Sequence, residues 1–82
     1  MEITPELERI ISIVAEAQTH VAFGAACPAG SADRAREVEG IRRCTKAARD
    51  LLPGIGGFGK LPSTVAITLR ACELGADKLS AP

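Results

Sequence analysis

Apolar residues recur along this chain at steps of three and four in three separate stretches, each bounded by residues that start or stop helices. In the first stretch Leu7, Ile10, Ile11, Val14, Ala17 and Val21 form one broad apolar face that Ile13 widens, which predicts a helix running to about Val21 with neighbours on two sides. Its start is written in Thr4 as N-cap, Pro5 at the first helical position, and Glu6 and Glu8 at the positive end of the helix dipole. The following segment, Phe23 to Gly30, holds two glycines, a proline and no charge; it reads as a loop packed down by Phe23.

Ser31, with Asp33 two residues later, restarts a helix. Val38, Ile41, Thr45, Ala48 and Leu52 then mark its inner stripe, with Cys44 and Leu51 beside it, while Arg36, Glu39, Arg42, Arg43, Lys46, Arg49 and Asp50 project on the other side. Pro53 cannot continue this helix, and Gly54 relieves the strain of leaving it. After Lys60 and Pro62, Ser63 is the expected N-cap of a third helix whose seam is Val65, Leu69, Cys72, Ala76 and Leu79, suited to packing antiparallel on the second. Residues 64–69 are rich in β-branched side chains and alternate as a strand would. The alternation stops at Arg70, whereas the three-and-four period persists to Leu79, so the pattern favours helix; Ala81 and Pro82 are left as a short tail. The expected architecture is all-α: a single domain over 1–82, a three-helix hairpin or bundle with a Gly-rich connector between its second and third helices.

Composition sharpens this picture in three ways. The 82 residues are 46% hydrophobic but include only two Phe and neither Trp nor Tyr, so the core has to be built from aliphatic seams. A core of this size gives modest stability, which makes self-association the first expectation. Ten basic and ten acidic residues cancel, leaving no electrostatic footprint for DNA or for an anionic membrane surface. Cys27, Cys44 and Cys72 are odd in number, widely spaced and in no CxxC pair, which fits reduced thiols in a cytoplasm. No cleavable leader and no membrane span is expected, because Ser12 and Glu16 interrupt the early apolar run.

The segment with the most chemistry is Leu51 to Ser63, LLPGIGGFGKLPS, which contains Gly54-x-x-x-x-Gly59-Lys60. A full phosphate loop follows its lysine with Ser or Thr to hold Mg²⁺, and lies between a strand and a helix. Here Leu61 and Pro62 follow, so nucleotide hydrolysis is not expected. What remains is anion binding without turnover: glycine N–H groups at Gly57 and Gly59, the Lys60 charge, and the helix start at Ser63 could converge on a phosphate. The competing reading is a plain interhelical turn with Ile55 and Phe58 tucked into the core. Arg42, Lys46 and Arg49 lie within one arc of the second helix and could add a cationic strip, which Glu39 and Asp50 neutralise in part. His20 and the three cysteines could in principle make a Cys₃His zinc site, but they show none of the short ligand pairs that fix such sites, so no metal and no cofactor is expected. No carboxylate pair or nucleophile and base stand out, and no enzymatic activity is expected.

Ser31-x-Asp33 followed by Val38-Glu39-Gly40-Ile41-Arg42-x-x-x-Lys46, with Phe23-Gly24 before it and Pro62-Ser63 and Ala76-Asp77 after it, resembles the phage anti-CBASS cyclic-nucleotide sponge family. The resemblance implies a small helical hairpin that assembles into a homohexamer and captures a cyclic di- or trinucleotide between protomers without turnover. Arg42, Lys46 and Ser63 are the positions that match. The chain departs from the family at Ala25-Ala26, where members carry Tyr-His, and at Gly75, where they carry tryptophan. The functional expectation is therefore a cytoplasmic, non-catalytic protein that binds itself and sequesters a small phosphorylated ligand, as a phage counter-defence sponge in the host cytoplasm. The alternative is a helical inhibitor or adaptor of a host defence protein, such as an anti-CRISPR, that uses the apolar face of its first helix.

Overall fold

The computed structural model describes residues 2–81, so Pro82 of the expected tail lies outside the described residues. Three α-helices carry the fold: α1 (Pro5–Ala26), α2 (Ala32–Leu51) and α3 (Leu61–Leu79), with a 3₁₀ turn, Leu52–Ile55, between α2 and α3. No strand occurs among the described residues, and 64–69 are helical. No helix among them is long and apolar enough to cross a membrane.

The helices alternate in direction. Arg34 lies beside Leu79 and Arg49 beside Glu73, so α2 and α3 are antiparallel. His20 packs on Gly40 and Gly24 on Glu37, so α1 and α2 are antiparallel too. The result is a rod of 43 × 18 × 17 Å with a radius of gyration of 13.5 Å, longer than the roughly 12 Å expected of a round domain of this length.

Two of the three expected starts are present. Thr4 Oγ1 accepts from the Leu7 amide at 3.2 Å, and Ser31 Oγ accepts from the Arg34 amide at 3.1 Å. Four expectations are corrected. The first helix does not stop near Val21 but runs to Ala26, because the alanines around Gly24 sustain it and Pro28 is the residue that ends it, holding Cys27 extended. Phe23 consequently does not pin a loop; it stands 59% exposed on the helix. Ser63 is not an N-cap, since α3 begins at Leu61 with Lys60 in the capping position, and Pro62 sits in the first turn, where its missing N–H has no helical partner to lose. The connector turns back through Gly59, whose φ of 61° suits glycine, rather than at Gly54.

The core has two halves of different character. At the connector end, Leu7, Ile10, Ala48, Ile55, Val65 and Leu69 pack together with Leu51, Leu52, Phe58 and Leu61 around them. At the other end the buried residues are mostly small: Ala17, Cys44, Cys72 and Ala76 accompany Val38 and Ile41. That half is closed by Arg34, whose Nε donates to the Leu79 carbonyl at 3.0 Å and whose Nη1 donates to the Cys27 carbonyl at 3.2 Å. One guanidinium thus serves the carbonyl-rich ends of α1 and α3, where a cation is favoured by both dipoles.

Candidate functional site

Four places on this rod carry chemistry or exposed apolar surface. The first is the α2/α3 cleft lined by Arg42, Thr45, Lys46, Arg49, Asp50, Glu73 and Asp77, with a volume of about 420 Å³. The expected cationic strip is here, but each cation has a carboxylate partner. Arg42 Nη2 lies 3.4 Å from Asp77, Lys46 Nζ 3.7 Å from Asp50, and Arg49 makes a bidentate pair with Glu73 at 2.7 Å for both bonds. The compensating charges come mainly from α3, which residue spacing within α2 could not show. An incoming phosphate would therefore have to displace three acids before gaining three bases.

The Arg49–Glu73 pair has a measurable signature. The hydrogen bond from Arg49 holds the Glu73 carboxyl below its usual value of 4.5, helped by the charges of Arg49 and Arg70. Because the folded value lies below the unfolded one, the pair's contribution is complete above pH 4.5 and is lost as pH falls through the depressed value. Replacing Arg49 with Gln should move the Glu73 titration midpoint, read by carboxyl NMR, back up toward 4.5. An unchanged midpoint would show that the pair does not form in solution.

The second place is the connector. Ile55 is fully buried and Phe58 half-buried against the same cluster, while Gly57, Gly59 and Lys60 are exposed. The amides of Gly56, Phe58 and Leu61 donate to the carbonyls of Pro53, Ile55 and Phe58. The Gly57 and Gly59 amides expected at a phosphate are not among these donors. Within the strip, Arg42 stands nine residues before the end of α2, a helical rise of about 14 Å, whereas Arg49 stands two residues before it, about 3 Å. Of the residues expected to bind ligand, Arg42 and Lys46 share one cleft, and Gly57, Gly59, Lys60 and Ser63 lie at the connector end.

The third place was not foreseen. His20 on α1 reaches across to α2, where its Nδ1 lies 2.5 Å from Glu37 Oε2. Its ring rests on Gly40, so closely that a Cβ there would stand 2.9 Å from the ring. The other ring nitrogen, Nε2, is buried without a hydrogen-bond partner among the described residues. An orphaned polar atom of this kind costs about 1–3 kcal/mol. Glu16 Oε1 is 3.9 Å away, and Glu16, His20 and Cys44 place one donor atom each within 4.8 Å of one another. Burial, and next to it the Glu16 carboxylate, push the Cys44 thiol above its usual range.

No protein-family model, curated protein or solved structure matches the chain. Functional inference therefore rests on surfaces and side chains alone.

The fourth place is the outer surface of α1 and α3. The apolar face of α1 is spent on the core, where Leu7, Ile10 and Ala17 are buried. Exposed apolar residues lie elsewhere: Ile67 is 72% and Leu74 50% exposed on α3, with exposed Ala71 between them at helical spacing. Across the groove formed by Gln18, Val21, Thr68 and Ala71, α1 adds exposed Ile11, Ala15, Gln18 and Ala22 on one line. None of these outward residues is charged.

Proposed function

We propose that this protein is a non-catalytic, self-associating helical module that acts by binding another protein, as an inhibitor or adaptor does. The observation that carries this reading is the exposure of Ile11, Ile67 and Leu74 on the outer surfaces of α1 and α3, bordered by exposed Glu8, Arg70 and Lys78. Removing apolar area of this kind from water contributes about 25 cal/mol per Å², and large apolar side chains standing in solvent on neighbouring helices suit an interaction surface. The charged α2 side, by contrast, is internally neutralised and suits solvent.

Light scattering tests it. The protein is expected to form a dimer or larger species, and the double variant Ile67→Lys, Leu74→Lys should be monomeric with an unchanged circular dichroism spectrum, because both side chains are outside the core. A wild-type chain that stays monomeric at every concentration would remove the self-association half of the proposal.

The α2/α3 cleft supports a second reading, in which the assembly sequesters a small phosphorylated ligand such as a cyclic oligonucleotide, in keeping with the family resemblance. Three cations and a cavity of about 420 Å³ favour it, and the paired carboxylates oppose it. With no Trp or Tyr in the chain, ultraviolet absorption of the purified protein reports co-purified nucleotide almost directly. A cyclic di- or trinucleotide at 100 times its Kd should stabilise the fold by about 2.7 kcal/mol. A spectrum free of nucleotide and no thermal shift would end this reading. If binding is seen, Lys60→Ala separates the two places: unchanged affinity would leave the connector glycines as a turn and the cleft as the site.

A further inference from the structure

We propose that Glu16, His20 and Cys44 bind a thiophilic divalent transition-metal ion, Zn²⁺ foremost, between α1 and α2. The three donors are a carboxylate, an imidazole and a thiol whose ligand atoms already lie within 4.8 Å of one another. Bonds of about 2.0–2.3 Å to a common ion at tetrahedral angles would set such atoms roughly 3.3–3.6 Å apart, so a pair standing at 4.8 Å must close by about 1.2–1.5 Å and the Glu16–His20 pair, at 3.9 Å, by roughly half an ångström. Glu16, whose side chain is 61% exposed, can supply its share of that movement, and the closure between His20, 23% exposed, and the buried Cys44 takes small rotations of the imidazole and the thiol.

The imidazole is arranged as a ligand usually is. Metal-bound histidines commonly give their second ring N–H to a carboxylate, which fixes the tautomer and raises the basicity of the ligating nitrogen. Here Glu37 takes Nδ1 at 2.5 Å and leaves Nε2 buried with no hydrogen-bond partner among the described residues. A hydrogen-bonded His20–Glu37 pair alone accounts for Nδ1 but not for Nε2; a cation accounts for both. Gly40 belongs to the same arrangement, because any side chain there would push the ring out of position.

The donor set selects the ion. A sulfur and a nitrogen donor disfavour Mg²⁺ and Ca²⁺, which take oxygen ligands. A thiolate and a carboxylate together balance a divalent charge, and the fourth position is left to water or an outside donor. Binding converts the Cys44 thiol to thiolate and releases its proton to solvent, so affinity should rise with pH.

Cobalt(II) added to the metal-free full chain provides the test. We expect a sulfur-to-cobalt charge-transfer band with strong visible absorption of a tetrahedral centre, saturating near one equivalent and displaced by Zn²⁺. Zn²⁺ should raise the thermal midpoint, and Mg²⁺ and Ca²⁺ should not. Cys44→Ser should abolish the charge-transfer band, Glu37→Gln should weaken Zn²⁺ binding by about 10- to 100-fold, and Cys27→Ser should change nothing. Should Cys44→Ser fail to fold, Glu37→Gln decides, since it leaves all three ligands in place. The proposal is overturned if no band appears, if the band survives in a folded Cys44→Ser protein, or if Glu37→Gln leaves Zn²⁺ affinity unchanged.

Discussion

Replacing Ile55 with Ala is expected to destabilise the protein by about 2–5 kcal/mol, the largest effect of any change in the connector. A chain of 82 residues has a total stability of roughly 4–12 kcal/mol at ordinary values per residue. The variant should therefore show a much lower denaturant midpoint and, at the upper end, a sizeable unfolded population in water. The reason is geometric: Ile55 has no exposure and sits among Leu7, Ile10, Ala48, Val65 and Leu69, closing the end of the bundle. Lys60→Ala, five residues on and exposed, should shift stability by no more than about 0.5 kcal/mol. A midpoint for Ile55→Ala as close to wild type as that of Lys60→Ala would mean that the connector is not part of the core.

Gly40→Ala is expected to change sign with its neighbour. In the middle of a helix, alanine is favoured over glycine by about 1 kcal/mol, but the new Cβ would stand 2.9 Å from the His20 ring. The imidazole would have to swing away and give up Glu37, a hydrogen bond to a charged group worth about 1.5–3 kcal/mol. In the wild-type background the net effect should be destabilising by about 1 kcal/mol. In His20→Ala, where the ring is gone, the same substitution should stabilise by about 1 kcal/mol. Chemical denaturation of the four proteins forms a double-mutant cycle. Effects of equal size and sign in both backgrounds would show that His20 does not rest on Gly40.

The helical period was enough to place the seams of α2 and α3, and that of α1 except for Ile11, which was expected on the inner face and is 49% exposed; Thr4 and Ser31 could be read as caps because their hydroxyls act on amides three residues away. Ends governed by longer-range contacts were not legible. Gly24 looked like a helix breaker, yet it is where α1 approaches Glu37 and Leu79, and the approach keeps it helical. Ser63 looked like a cap because of its chemistry, but Leu61 and Pro62 already hold the first turn. The cationic strip was placed correctly on one face of α2, whereas its neutralisation by Glu73 and Asp77 depends on the antiparallel packing of α3. The cluster of Glu16, His20 and Cys44 was hidden for the same reason. Its local half was open to view, since Glu16 and His20 are four residues apart on one helical face, the spacing of a ligand pair; the third donor comes from another helix. Arg34 gave no sign of its role, because both carbonyls that it serves belong to other segments of the chain.

The unequal halves of the core imply unequal freedom for the sequence to drift. At the connector end, Leu7, Ile10, Ile55, Val65 and Leu69 fill space with side-chain volume, and exchanges among Leu, Ile and Met of similar size are tolerated there at modest loss. At the far end the buried residues are small, Ala17 and Ala76 among them, and two glycines make room for side chains of other helices: Gly24 for Glu37 and Leu79, Gly40 for the His20 ring. A side chain at Gly24 or Gly40 would require Leu79, Glu37 or the His20 ring to move. Variation in descendants of this chain should therefore collect around the connector, while the small residues near His20 stay fixed.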